Sequence, residues 1–136
     1  MKKIITIIAF FILSTNIYSQ QIIESQISGT WKVKQIVEKP SNPQFIPIID
    51  SFKNATFSFN KNGTFALNTT FKTELFTMIS DITNKMKWIF IPNEQSIFIG
   101  NEKEGYNIMA IFVQQLNGKI LFKIMESELT LEMNLI

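Results

Sequence analysis

Ile27-Ser28-Gly29-Thr30-Trp31-Lys32-Val33-Lys34-Gln35-Ile36-Val37-Glu38 is the stretch that decides the fold. Trp31, Val33 and Val37 alternate with Lys32, Lys34 and Glu38, the period of a strand with one face buried. A strand is expected from Gly29 to Glu38, and Lys39-Pro40-Ser41-Asn42-Pro43 ends it. The same alternation recurs along the chain. Ala55 to Phe59 alternates Phe57 and Phe59 with Thr56 and Ser58. Asn60-Lys61-Asn62-Gly63 turns the chain, and Thr64 to Phe71 returns with Phe65, Leu67 and Phe71 on one face.

Four further hairpin-linked strands are expected. Lys85 to Ile91 places Met86, Trp88 and Phe90 on one face, and Ser96 to Gly100 is short. Tyr106 to Gln114 is almost continuously apolar. Asn117-Gly118 is a two-residue hairpin signal, and Lys119 to Met125 returns from it. In the last strand Leu129, Leu131 and Met133 alternate with Thr130, Glu132 and Asn134.

Two segments do not read as strands. Gln44 to Ser51 carries Pro47 among Phe45, Ile46, Ile48 and Ile49. It is expected to form an ordered loop or a helical turn over one mouth of the molecule. In Thr73 to Asn84, Leu75, Met78, Ile79 and Ile82 fall at helical spacing behind Thr73, a capping residue type. The β-prone Phe76-Thr77-Met78-Ile79 keeps a strand open as the alternative. The chain is thus predicted to be all-β: an eight-stranded antiparallel meander barrel with at most one short helix. Closure removes the two long edges that an open meander would expose.

The first residues are of another kind. Lys2 and Lys3 precede an apolar run from Ile4 to Leu13, too short to span a bilayer, and Tyr18-Ser19-Gln20 offers a small residue for cleavage. This reads as a secretory signal peptide over 1–19. A loose polar leader over 20–26 and the barrel domain over 27–136 come after it. The expectation is a periplasmic or secreted protein with no stable membrane span after cleavage. An uncleaved N-terminal anchor is the alternative. No Cys follows the apolar run, which excludes a lipid-modified lipoprotein.

Composition removes whole classes of chemistry. The 136 residues include no His and no Cys. That takes away the usual zinc sites and Ser-His or Cys-His nucleophiles. Glu102 with Glu104, and Glu126 with Glu128, read as solvated turn acids. Asp50 and Asp81 have no partner visible in sequence. Calcium needs clustered oxygen ligands, and Lys103 interrupts Asn101-Glu102-Lys103-Glu104. No catalytic residue, metal or cofactor is assigned. All 13 basic residues are lysine; with Lys2 and Lys3 removed, the lysines balance the 11 acids. A neutral chain without arginine has no electrostatic footprint for nucleic acid. Asn54, Asn62 and Asn68 each begin an Asn-x-Thr triplet, read as coincidence in a chain rich in Asn and Thr.

Gly29-Thr30-Trp31 on the first strand, the meander and the export signal together resemble the small bacterial lipocalin-like domains. The likeness spans Ile27 to the end. It implies a closed or nearly closed barrel with Trp31 packed across its closed end, and a small apolar molecule or lipid as ligand. In typical lipocalins an arginine lies over that tryptophan. This chain has none; Lys123 is the candidate substitute, though an ammonium cannot stack as a guanidinium does.

Aromatic side chains are the only material for a site. Trp31, Phe57, Phe65, Leu67, Trp88, Phe90, Phe112 and Phe122 are expected to point inward and to contact the ligand. The competing expectation is a solid barrel, filled by these same residues, that serves as a structural or interaction module of the cell envelope.

Overall fold

A computed structural model describes residues 21–136. The signal peptide expected over 1–19 lies outside the described residues. The eight strands are β1 (Gly29–Glu38), β2 (Ala55–Phe59), β3 (Phe65–Thr69), β4 (Lys87–Ile91), β5 (Ser96–Gly100), β6 (Met109–Leu116), β7 (Lys119–Ile124) and β8 (Leu129–Leu135). They form one antiparallel sheet in the order β3-β2-β1-β8-β7-β6-β5-β4. It is a meander whose first and last strands pair, and it rolls into a nearly closed barrel. A single bridge, Thr64 to Lys87, joins the two outermost strands. Around it Lys85 N–H donates to Phe65 O at 2.9 Å, Phe65 N–H to Met86 O at 2.8 Å and Trp88 N–H to Gly63 O at 2.9 Å. The Asn84 side-chain carbonyl accepts from Leu67 N–H at 2.8 Å and extends the seam by one bond.

Connections alternate in kind. Segments 60–64, 92–95 and 117–118 turn tightly at one end of the barrel. At Asn117 and Gly118 both φ values are positive, 51° and 76°, as a two-residue hairpin turn requires. Segments 39–54, 70–86, 101–108 and 125–128 gather at the other end, and two of them are helical. Helix α1 (Glu24–Ile27) precedes β1. Helix α2 (Ile46–Lys53) follows a 3-10 turn at Pro43–Phe45, with Pro47 in its first turn, where the missing N–H costs nothing. Helix α3 (Glu74–Thr83) begins at Thr73, whose hydroxyl accepts from Phe76 N–H at 3.3 Å.

The helix content exceeds the single short helix expected. The leader is not loose either. Ile22 is buried, and its N–H donates to the Gln95 side chain at 2.8 Å. Ile27 is buried as well, and the Trp31 indole N–H donates to its carbonyl at 2.8 Å.

β1 departs from its alternating reading. Its register against β8 skips at Lys34 and again at Val37, so each is a bulge residue. The first bulge reverses the parity of the residues beyond it. Ile36 turns inward to pair with Leu131, and Val37 is left 49% exposed.

The interior is filled by rings. Phe122 lies 5.5 Å from Trp31, 5.8 Å from Phe57 and 6.0 Å from Phe59 between ring centroids. Phe59 also meets Phe65 at 5.3 Å and Trp88 at 5.4 Å. Most of these contacts are tilted or edge-to-face, the favoured geometries. Ile97, Ile99, Ile111, Val113, Leu129 and Leu131 complete the core. Burying each large apolar side chain contributes about 1.5–3 kcal/mol. That is how a chain without disulfides holds together.

Candidate functional site: an apolar cleft at the loop end

Of the eight residues expected to contact a ligand, seven are buried inside the barrel: Trp31, Phe57, Phe65, Leu67, Trp88, Phe90 and Phe122. Phe112 is not among them. Its neighbours Ile111 and Val113 take the inward positions, and Phe112 sits half-buried on the outer wall, paired with Ser96 and Lys123. The run Ile111-Phe112-Val113 is apolar at both parities, so sequence could not choose between them. With the waist already occupied by Phe122 and its partners, the smaller side chains face inward.

Trp31 packs near the tight-turn end, where its strand pairs with Leu135 and Phe57. Lys123 does not lie over it. That lysine is exposed on the outer wall, opposite Thr130 toward the loop end. The place beside the indole belongs to Phe122 and to the Ile27 carbonyl. A recess of about 290 Å³ runs from Trp31 past Ile22, Ile27, Ile120 and Leu135.

At the loop end the two helices act as a partial stopper. Phe52 of α2 meets Phe57 at 6.1 Å and Phe76 of α3 at 5.2 Å. The helices are also tied by hydroxyls. Buried Ser51 and Thr73 share a bond of 3.0 Å, and Thr69 donates to the Ser51 carbonyl at 2.6 Å. The rest of that end is open. A cleft of about 450 Å³ lies between α3, the 101–108 loop and the 125–128 turn. Its walls are Ile79, Ile82, Phe98, Ile108, Met109, Ala110, Ile124 and Met125, with Thr83, Tyr106, Asn107 and Glu126 supplying polar groups.

No family model, no curated protein and no solved structure matches this chain.

The cleft therefore has to be read from its own geometry, and α3 is its most telling wall. The face that α3 buries consists of Phe76, Ser80 and Thr83. The stripe that betrayed the helix in sequence is split: Leu75 and Ile79 pack against the core, and Met78 and Ile82 do not. Met78 is 56% and Ile82 48% exposed, while Leu75 and Ile79 are partly covered. The two buried hydroxyls are satisfied inside the helix, Ser80 by Thr77 O at 3.1 Å and Thr83 by Ile79 O at 2.8 Å. An amphipathic helix normally turns its apolar face to the core. This one turns Phe76 to the core and presents Ile79 and Ile82 to a cleft.

The opposite wall depends on Gly100. A Cβ there would stand 2.8 Å from Asn107 N and 2.9 Å from the Tyr106 backbone. Only glycine lets the loop fold back so closely onto β5. Tyr106 N–H then bonds to Asn101 O at 3.0 Å and Ile108 N–H to Ile99 O at 2.9 Å, which fixes the rim. On the third side Glu126 and Glu128 both hold positive φ, 69° and 60°, in the β7–β8 turn. Ser41 clamps Glu128 through its N–H at 3.2 Å and its hydroxyl at 2.9 Å. Those bonds, from the backbone N–H first and the hydroxyl second, hold the Glu128 carboxyl below the usual glutamate range.

A second, polar cleft of about 680 Å³ adjoins this turn, lined by Glu38, Lys39, Lys123, Met125, Glu126 and Glu128. Among the described residues no group of three or more acids is placed to hold a metal ion, and no helix is long and apolar enough to cross a membrane. The apolar cleft is assembled from residues 79, 82–83, 98, 105–110 and 124–126, and no local motif marks such a convergence.

Proposed function

We propose that this protein is an exported, lipocalin-like binding protein without catalytic activity, and that the loop-end cleft is where a small apolar ligand sits. The observation that carries the reading is the exposed stripe of α3. Ile79 and Ile82 line a concave, mostly apolar cleft, with Ile82 48% exposed, while Phe76, Ser80 and Thr83 form the buried face of the helix. The volume, about 450 Å³, lies in the range of small-molecule sites. The loop end of a barrel is a common place for such a site, because loops carry recognition on a rigid scaffold. The filled waist moves the ligand from the barrel axis to its mouth.

The alternative is a solid structural or interaction module. It is favoured by the aromatic packing and by Ile46, Phe71 and Met78, each more than half exposed at or beside the same end. Titration with the neutral apolar dye Nile red separates the two. The binding reading expects saturable one-to-one uptake, strongly weakened in Ile82→Glu and unchanged in Lys119→Gln at the far end. Absence of saturable uptake, together with self-association in sedimentation, favours the solid module.

A further inference from the structure

We infer that the loop-end cleft selects a cationic amphiphile, an aliphatic or aromatic amine with an apolar body, over a fatty acid of the same length. The inference rests on the proposal that the cleft holds a ligand, and it names the head group.

The three segments that frame the cleft carry an unequal share of charge. Helix α3, the 101–108 loop and the 125–128 turn contain Glu74, Asp81, Glu102, Glu104, Glu126 and Glu128, against one lysine, Lys103. Beyond Lys3 the chain as a whole carries as many lysines as acids, so the excess is local. Only on the side of the 125–128 turn do lysines approach: Lys123 acts on Glu128, and Lys39 and Lys123 share the adjoining polar cleft with Glu126 and Glu128. The two ion pairs among the described residues, Lys34 with Glu132 and Lys53 with Asp50, involve none of the six. Lys123 lies outside the cleft, in the neighbouring polar one.

Within the cleft the polar groups suit an amine. Glu126 supplies the only charged side chain of the lining, and Tyr106 supplies the aromatic ring beside the rim. A carboxylate and a tyrosine attract an ammonium by charge and by the ring quadrupole. A fatty-acid carboxylate at the rim would meet Glu126, and like charges closer than a screening length of about 8 Å repel. The apolar walls take the tail in either case, so the head group decides.

The test uses three probes with one tail, decylamine, decanol and decanoate, each titrated calorimetrically into the purified protein at neutral pH below its aggregation limit. Decylamine should bind roughly fivefold more tightly than decanol, and decanoate more weakly than decanol by a similar factor. Added salt should narrow the spread, and Glu126→Gln should narrow it without unfolding the protein. Ile82→Glu should weaken decanol binding, since it spoils the tail wall. Decanoate binding as tightly as decylamine, with decanol still sensitive to Ile82→Glu, overturns the cationic assignment and leaves the cleft as the site. No saturable binding of any probe, or decanol binding indifferent to Ile82→Glu, overturns the proposed function and this inference with it.

Discussion

Glu132 stands on the outer wall of the barrel, yet its side chain is only 4% exposed. Sequence alternation sets it with Thr130 and Asn134 on the face away from Leu131 and Met133, where a side chain is ordinarily solvated. The bulges of β1 change that by laying Gln35 opposite it. The Gln35 amide donates to its carboxylate, and this bond is the main reason its pKa falls below the ordinary glutamate range. Desolvation opposes the shift; Lys34, at 3.6 Å, and Lys119 reinforce it. A depressed folded pKa contributes stability above the unfolded value, and that stability is lost as pH falls through the folded one. Glu132→Gln should therefore be less stable than the parent at neutral pH, and the two should converge below about pH 4. Urea midpoints measured from neutral to acid check this; parallel curves would refute it. Trp31 makes the second residue-scale prediction. Its ring meets Phe122 and its N–H is bonded, so Trp31→Ala should cost about 3–5 kcal/mol in denaturant unfolding. An unchanged melting curve would make the tryptophan incidental to the fold.

Among the elements, α3 joins a cap, a stopper and a cleft wall. Thr73 caps it through Phe76 N–H and ties it to Ser51 of α2. Thr73→Ala should destabilise the protein by about 1 kcal/mol, the usual value of a lost cap. The loss should be local: amides of 74–83 should exchange faster with solvent while those of β1 and β8 keep their protection. Uniform acceleration would show that the helix and barrel unfold as one unit. The elements also show what the sequence made legible. β1, β2 and β5 have the expected bounds because their ends are marked by Pro, Gly or turn residues. The helix at 74–83 was visible in its apolar spacing, but which face it buries was not. Spacing reveals a stripe, and tertiary packing decides where the stripe points. For the same reason Val37 and Phe112 are displaced from their expected faces. A bulge costs one residue and leaves no sequence mark, and an all-apolar run has no parity to read.

As a whole, the molecule is a rolled meander with one weak join. The first and last strands share a long ladder, six register pairs from Trp31–Leu135 to Glu38–Thr130. The β3–β4 seam has one bridge and a few bonds around it. Barrel opening should therefore begin at the seam. Amide exchange of Phe65 and Trp88 should run ahead of that of Val33 and Met133 under native conditions, even though all four side chains are buried. Equal protection at the two places would mean that the seam is as firm as the ladder. The eight-stranded meander was readable from strand count and turns; the cleft was not, because its walls meet only after the sheet has closed.

The hairpins that close the tight-turn end also set how the protein ages in a vial. Both Asn62-Gly63 and Asn117-Gly118 place an asparagine before an unhindered glycine, whose backbone nitrogen can attack the side-chain amide carbon, expel ammonia and close a succinimide that water then opens to aspartate or isoaspartate. The Asn62 amide oxygen is already held by Thr64, through N–H at 3.0 Å and the hydroxyl at 2.6 Å. Asn117 is exposed and has no side-chain hydrogen bond among the described residues. Succinimide formation should therefore strike Asn117 first during mild alkaline storage, and peptide mapping should find the acidic product there well before it appears at Asn62. Isoaspartate lengthens the backbone inside a turn of two residues, so the aged fraction should also lose the pairing of Leu116 with Lys119 that the turn now enforces.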